Sequence, residues 1–319
     1  MAETDSKKRL MGKVAVVTGA GRGLGRAEAI LLARQGAKVV VNDLGCDPYG
    51  RGTDESIARS VVEEIKGEGY VAVANSDTVA TMEGAGRIIA AAMEAFGRLD
   101  ILINNAGILR PGMIYKLAEE DWDAIINVHL KGHFNTIRHA APIFRQQRSG
   151  VIVNTSSEAG LGNLGQANYS AAKEGIVGLT RTVARDLGRF NVRCNAIRPF
   201  AETRLNLIPE LLQAMRSSEK ELGIPALGNR KAPRLLGEIS SPEQVAVLVV
   251  WLCTDAAAQV NGRTFQVGNG EIGLYSEPEI IRSVFELKRW DLDGLDSSTV
   301  RNYLIGDLTN RFISNKAEK

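Results

Sequence analysis

Tyr169 and Lys173, four residues apart in "GQANYSAAKEG" (165–175), are a pair that could move protons. On a helix that spacing puts both side chains on one face. A free tyrosine hydroxyl, with a pKa of about 10, is a poor acid or base at neutral pH. A neighbouring ammonium favours the phenolate and moves that pKa toward the working range. A second candidate lies in "IINVHLKGHF" (125–134), where His129 and His133 share a helix face as metal ligands often do, with His139 six residues on. No Cys, Asp or Glu accompanies the pair in a ligand pattern, so no metal is expected. His133 and His139 read as helix-surface or interface residues.

A third feature, "TGAGRGLG" (18–25), carries Gly19, Gly23 and Gly25 between an apolar β-branched run and a helical one. Glycines let the backbone turn sharply and approach a pyrophosphate, and the helix amino end supplies N–H groups and positive dipole. An acid, Asp43, ends the next apolar run, 18 residues past Gly25. That is near the spacing of about 20 at which a carboxylate meets a ribose 2′-hydroxyl. Asp43 would repel a 2′-phosphate and so favours NAD over NADP. Arg22 beside it argues mildly the other way.

The elements that must position these residues alternate regularly. Strands are expected near 13–20, 38–44, 70–77, 99–107, 150–157, 192–199 and 262–270. Helices are expected near 25–36, 54–67, 82–96, 119–147, 168–188 and 241–254. Val-rich runs separated by amphipathic helices predict a doubly wound α/β fold, a parallel seven-stranded Rossmann sheet in a three-layer α/β/α sandwich. No domain boundary interrupts it: a core over about 10–275 belongs to one dinucleotide-binding domain, with an extension over 276–319. Two stretches break the rhythm, the polar insertion "GCDPYGRGTDE" (45–55) and a Pro-containing segment over 200–240 expected above the sheet's carboxyl edge.

In this order the pieces "TGAGRGLG", Asp43, "NNAG" (104–107), Ser156-Ser157 and Tyr169 with Lys173 resemble the short-chain dehydrogenase/reductase family over about residues 10–275. Within it, "VVVNDLG", "NNAGILR", "VHLKG", "WLC" and "FQVGNGEIG" are similar to the (3R)-hydroxyacyl-CoA dehydrogenase part of the type-2 peroxisomal multifunctional enzymes and their bacterial relatives. The resemblance implies an NAD-dependent interconversion of a secondary alcohol and a ketone, on an acyl-CoA or on a free steroid, terpene or other alicyclic alcohol. Tyr169 is then the acid/base, Lys173 tunes it and holds the nicotinamide ribose, and a serine polarises the substrate oxygen. The family interval of thirteen residues before Tyr169 gives Ser156. Counting along the strand from Gly150, and the "SSxxG" pattern ending at Gly160, gives Ser157, which is preferred because a strand loses register at greater cost than a loop loses a residue. The cofactor is expected along Gly19, Arg22, Gly23, Leu24, Gly25, Asp43, Asp77, Thr78, Asn105, Ala106, Gly107, Pro199 and Thr203. Asp77 would sit at the adenine and Thr203 near the carboxamide. His129 stands where most members carry an asparagine that helps hold a proton-relaying water, and it would add a pH dependence. Phe200 departs from the family, which usually has glycine after this proline. Homodimers or homotetramers, packed through the helices near 119–147 and 168–188, are implied too.

Bulk properties narrow the remaining classes. The 319 residues are 44% apolar and 24% charged, with a formal charge of +2 and no basic run longer than "KKR" at 7–9. A nucleic-acid footprint is therefore not expected. No apolar run approaches the ~20 residues of a membrane span. Cys46, Cys194 and Cys253 are far apart, without CxxC, and read as reduced thiols; with no apolar leader at the start, a cytoplasmic protein is expected.

Overall fold

The structure, a computed structural model, describes residues 8–201, 240–286, 289–306 and 308. Thr203 and nearly all of the segment over 200–240 lie outside the described residues.

Among the described residues, eight strands form one sheet in the order β3-β2-β1-β4-β5-β6-β7-β8. They are β1 (Val14–Thr18), β2 (Lys38–Asn42), β3 (Ala72–Asn75), β4 (Ile101–Asn104), β5 (Gly150–Thr155), β6 (Val192–Pro199), β7 (Thr264–Gly268) and β8 (Glu271–Leu274). The first seven pair in parallel, and β8 returns antiparallel along β7. This eighth strand was not expected. Its sequence, "EIGL", is too short to show a period, and a turn at Asn269 (φ 52°) and Gly270 (φ 76°), both left-handed, sends it back.

The helices are α1 (Gly23–Arg34), α2 (Ser56–Gly67), α3 (Met82–Phe96), α4 (Glu119–Ile126), α5 (Gly132–Gln147), α6 (Ala167–Gly188), α7 (Pro242–Leu252) and the short α8 (Leu292–Leu295). One apolar cluster joins the sheet residues Ala15, Val39 and Ile103 to α1, α2 and α7. A second joins Val16, Val40 and Ile152, on the opposite face, to α3, α5 and α6. Burial on both faces explains why β1 is apolar at every position but its last, Thr18, rather than alternating.

The helix expected over 119–147 is not continuous. A π-helical turn, Asn127–Lys131, separates α4 from α5. Such single turns rotate the side chains that follow and often sit at functional sites. Here the turn holds His129. The chain reverses its winding direction between β1 and β4, the neighbours at the centre of the sheet, and the crevice at their carboxyl ends is where this architecture binds ligands.

Candidate active site

One cavity at that crevice is lined at one end by Gly19, Arg22, Gly23, Leu24, Asp43, Asp77 and Thr78, along its middle by Asn105, Ala106 and Gly107, and at the other by His129, Ser156, Ser157, Tyr169, Lys173 and Pro199. Gly25, below the loop, does not line it.

The glycine loop is built for close approach. Gly19 has φ +63°, and a Cβ there would lie 2.7 Å from the Cα of Ala106. A Cβ on Gly25 would lie 2.3 Å from the Gly19 carbonyl oxygen. Asn105 Nδ2 donates to the Thr18 and Gly19 carbonyls, both at 3.1 Å, tying the loop to "NNAG". The helix that follows, α1, has no side-chain cap at Arg22, so its first N–H groups are left for another acceptor. These features fit a dinucleotide pyrophosphate.

Asp43 is buried and accepts the Gly21 and Gly45 N–H groups, each at 2.8 Å, which fixes its carboxylate at the end of β2. Arg22 reaches instead toward the polar insertion, with Nη1 3.4 Å from the Cys46 carbonyl. Asp77 is held by Arg87 Nε at 2.6 Å and by Asn75 Nδ2 at 2.8 Å.

At the other end, Tyr169 and Lys173 share one face of α6, and the ammonium lies 5.4 Å from the phenol ring centre. Lys173 Nζ donates to the Thr155 carbonyl at 2.6 Å. Burial pushes the Lys173 pKa down to about 7. Burial pushes the Tyr169 phenol up to about 12, opposed by a hydrogen bond with the Ser157 side chain. Desolvation thus acts against the charged form of each group taken alone. The two serines at the end of β5 face different partners. Ser156 is buried and donates from Oγ to the Lys173 main-chain carbonyl at 2.7 Å. Ser157 turns toward Tyr169, with its Oγ also accepting the Ala159 N–H at 3.2 Å.

The histidines depart from expectation. His133 is not on the surface: it is buried, with Nδ1 2.7 Å from the His129 carbonyl, and burial lowers its pKa to about 3. The π-turn directs it inward, where a continuous helix would place it otherwise. His139 is half-buried against α3, with Nε2 2.9 Å from the Met82 carbonyl. His129 packs edge-on against Tyr169, ring centres 5.1 Å apart, and its Nε2 lies 2.8 Å from the Ile108 carbonyl. Burial, and then the Lys173 charge, hold His129 well below the ordinary histidine range. A ring that stays neutral cannot supply a limb to a pH profile, which corrects the expected pH dependence. A His129→Asn variant is thus expected to show the parent's pH–rate profile between about pH 5 and 8. Loss of an ionisation from that profile would show the ring titrating after all.

A short chain dehydrogenase family model matches residues 13–206. The chain belongs to the short-chain dehydrogenase family. It is an oxidoreductase acting on CH–OH groups, and its cofactor is a nicotinamide dinucleotide. The hydroxyacyl-CoA dehydrogenase ChsB1 of Mycobacterium tuberculosis is 40% identical over 95% of this chain and 92% of its own length. The mouse peroxisomal multifunctional enzyme type 2 is 43% identical over 84% of this chain, which spans only 33% of that larger protein. A crystal structure of a short chain dehydrogenase from Mycobacterium avium superposes with a TM-score of 0.75 at 40% identity, covering 93% of this chain and 95% of that one. Among the described residues, no helix of this dehydrogenase is long and apolar enough to cross a membrane.

Sequence reasoning missed several neighbours of the site. Asn168 is fully buried beside the tyrosine: its amide donates to the Arg110 and Asp121 carbonyls, and its oxygen accepts the Tyr169 N–H at 2.8 Å. The polar insertion folds onto the same region, with the Leu109 N–H donating to the Pro48 carbonyl at 2.9 Å and Arg110 Nε donating to the Tyr49 carbonyl at 2.9 Å. Tyr49 and Tyr169 both pack against Leu109. A polar residue one turn before Ala172, on the face that buries Ile176, was the available signal for Asn168. The insertion's contacts join residues as far as 61 apart in sequence and left none.

Proposed function

We propose that this dehydrogenase oxidises the hydroxyl of a 3-hydroxyacyl-CoA to a ketone, reversibly, with NAD as its cofactor. The observation that carries the reading is one crevice with a fixed carboxylate, Asp43, at its ribose end and the Ser157–Tyr169–Lys173 cluster at its other end. The cofactor, when bound, supplies the hydride acceptor; Gly19, Gly23, Asp43, Asn105 and Lys173 would hold it.

The chain's own residues handle the proton. Ser157 and Tyr169 bind the substrate hydroxyl between them, and Tyr169 takes its proton. Buried alone, a phenolate and an ammonium are each costly. Formed together at this separation, they offset one another, so Lys173 charges as Tyr169 ionises. His129 packs on the phenol and anchors this corner to Ile108, in the place the resemblance gives to asparagine.

The acyl-CoA class rests on similarity to proteins named as hydroxyacyl-CoA dehydrogenases and type-2 multifunctional enzymes. Leu109, which lines the cavity and packs against Tyr169, adds an apolar wall suited to an acyl chain. The same reading keeps the protein in the cytoplasm, with Cys46, Cys194 and Cys253 as reduced thiols, and as a homo-oligomer through α4, α5 and α6, where Trp122 and Phe134 are exposed. Reduction of NAD by 3-hydroxyacyl-CoA tests the substrate class. Turnover on free steroid or terpene alcohols alone would replace it, and NADH binding without turnover on any alcohol would make the chain a dinucleotide-binding scaffold. For the cofactor, Asp43→Ser is expected to lower kcat/KM for NAD about tenfold or more by removing a charged hydrogen-bond acceptor, with NADP losing nothing. An unchanged NAD/NADP ratio would take the ribose role away from Asp43.

A further inference from the structure

Near the carboxyl end of β6, Arg198 is buried with a side chain 3% exposed. Its Nη2 donates to Glu174 Oε2 at 2.7 Å and its Nη1 to the Ser157 carbonyl at 3.3 Å. The guanidinium carbon lies 4.7 Å from the ring centre of Tyr275, just past β8, and the Tyr275 hydroxyl donates to Gln266 at 2.9 Å. Nε is buried with no hydrogen-bond partner among the described residues. One side chain thus spans the turn after β5, helix α6 one residue beyond Lys173, and the hairpin at the sheet's edge.

As a source of stability this is a poor arrangement. The Glu174 carboxylate is 46% exposed, while the arginine has left water almost completely. Such pairs rarely recover their desolvation cost and are often matched by apolar residues of similar volume. What arginine adds here is direction. Its planar fork fixes two acceptors at once, which lysine or an apolar residue cannot do.

We propose that Arg198 is the positioning residue of Ser157. The carbonyl it holds belongs to the residue whose hydroxyl meets Tyr169, and the same carbonyl accepts the Gly160 N–H at 3.0 Å. Fixing that peptide plane fixes the ψ of Ser157, and the Ala159 N–H fixes the hydroxyl itself at 3.2 Å. A Cβ on Gly160 would lie 2.9 Å from Glu174 Oε2, so the turn rests directly on the carboxylate that Arg198 holds. Tyr275 closes the far side, which gives the β7–β8 hairpin a connection to the reacting groups.

The inference rests on Ser157 acting on the substrate, and a double-mutant cycle separates the two claims. Arg198→Met is expected to lower kcat about 10- to 100-fold while leaving the Kd for reduced cofactor within about twofold, since misplacing a catalytic group costs on that order. In a Ser157→Ala background, the same replacement should cost less than about twofold, because the group it positions is gone. Equal losses in both backgrounds, or a change confined to cofactor affinity, would overturn the role of Arg198 alone. A Ser157→Ala variant with undiminished kcat would instead remove the serine assignment. If Arg198→Met does not fold, Arg198→Lys, which keeps the charge but loses the fork, goes through the same cycle with the same two outcomes.

Discussion

Replacing Tyr169 by Phe is expected to lower kcat by about 10²- to 10⁴-fold, the usual worth of a positioned acid/base, while the Kd for reduced cofactor stays nearly unchanged. The hydroxyl is the group lost. The ring stays packed against His129 and Leu109, so the cavity keeps its shape. Steady-state rates beside cofactor fluorescence titration separate the two quantities. A variant that kept most of its kcat would show that another group carries the proton, and the assignment of the whole cluster would fail with it.

The second large effect concerns stability. Glu28, on α1, is fully buried beneath the sheet, and neither carboxyl oxygen has a hydrogen-bond partner among the described residues. Burial raises its pKa from 4.5 to about 8. The unfolded chain gives up this proton at about pH 4.5, whereas the folded chain keeps it until about pH 8. Stability is therefore fully present below about pH 4.5 and falls as the pH rises to about 8, by roughly 5 kcal/mol in all. Glu28→Met keeps the volume without the charge. Urea unfolding should show a gain of several kcal/mol at about pH 9 and little at about pH 5. An equal gain at both values would mean that the carboxylate is not driven to neutrality by its site.

How much of this was legible in the sequence depends on the range of the interaction. The glycine loop and Asp43 are read locally, because a tight turn before a helix and an acid closing the next strand are each fixed by a few neighbouring residues. Tyr169 and Lys173 are equally local, four apart on one helix. The parallel sheet was legible because strands buried on both faces must be apolar throughout. The π-turn was not. It adds one residue to a helix whose apolar spacing looks continuous, and that turn decides which way His129 and His133 point. Motif spacing brings Lys173 to Tyr169 but carries no measure of burial, the first cause of the shift at both groups. Arg198 and Glu28 were silent, since an arginine in a strand or a glutamate in a helix is usually solvated.

In the proposed reaction Tyr169 takes only the hydroxyl proton, and the bound nicotinamide would accept the hydrogen of the substrate carbon directly. Oxidation of a 3-hydroxyacyl-CoA deuterated at carbon 3, with NAD in ordinary water, tests it most directly through the mass of the NADH recovered. One deuterium is expected in every NADH formed, with a slower rate than for the unlabelled substrate. NADH free of deuterium, or no NADH at all from any 3-hydroxyacyl-CoA, would contradict it.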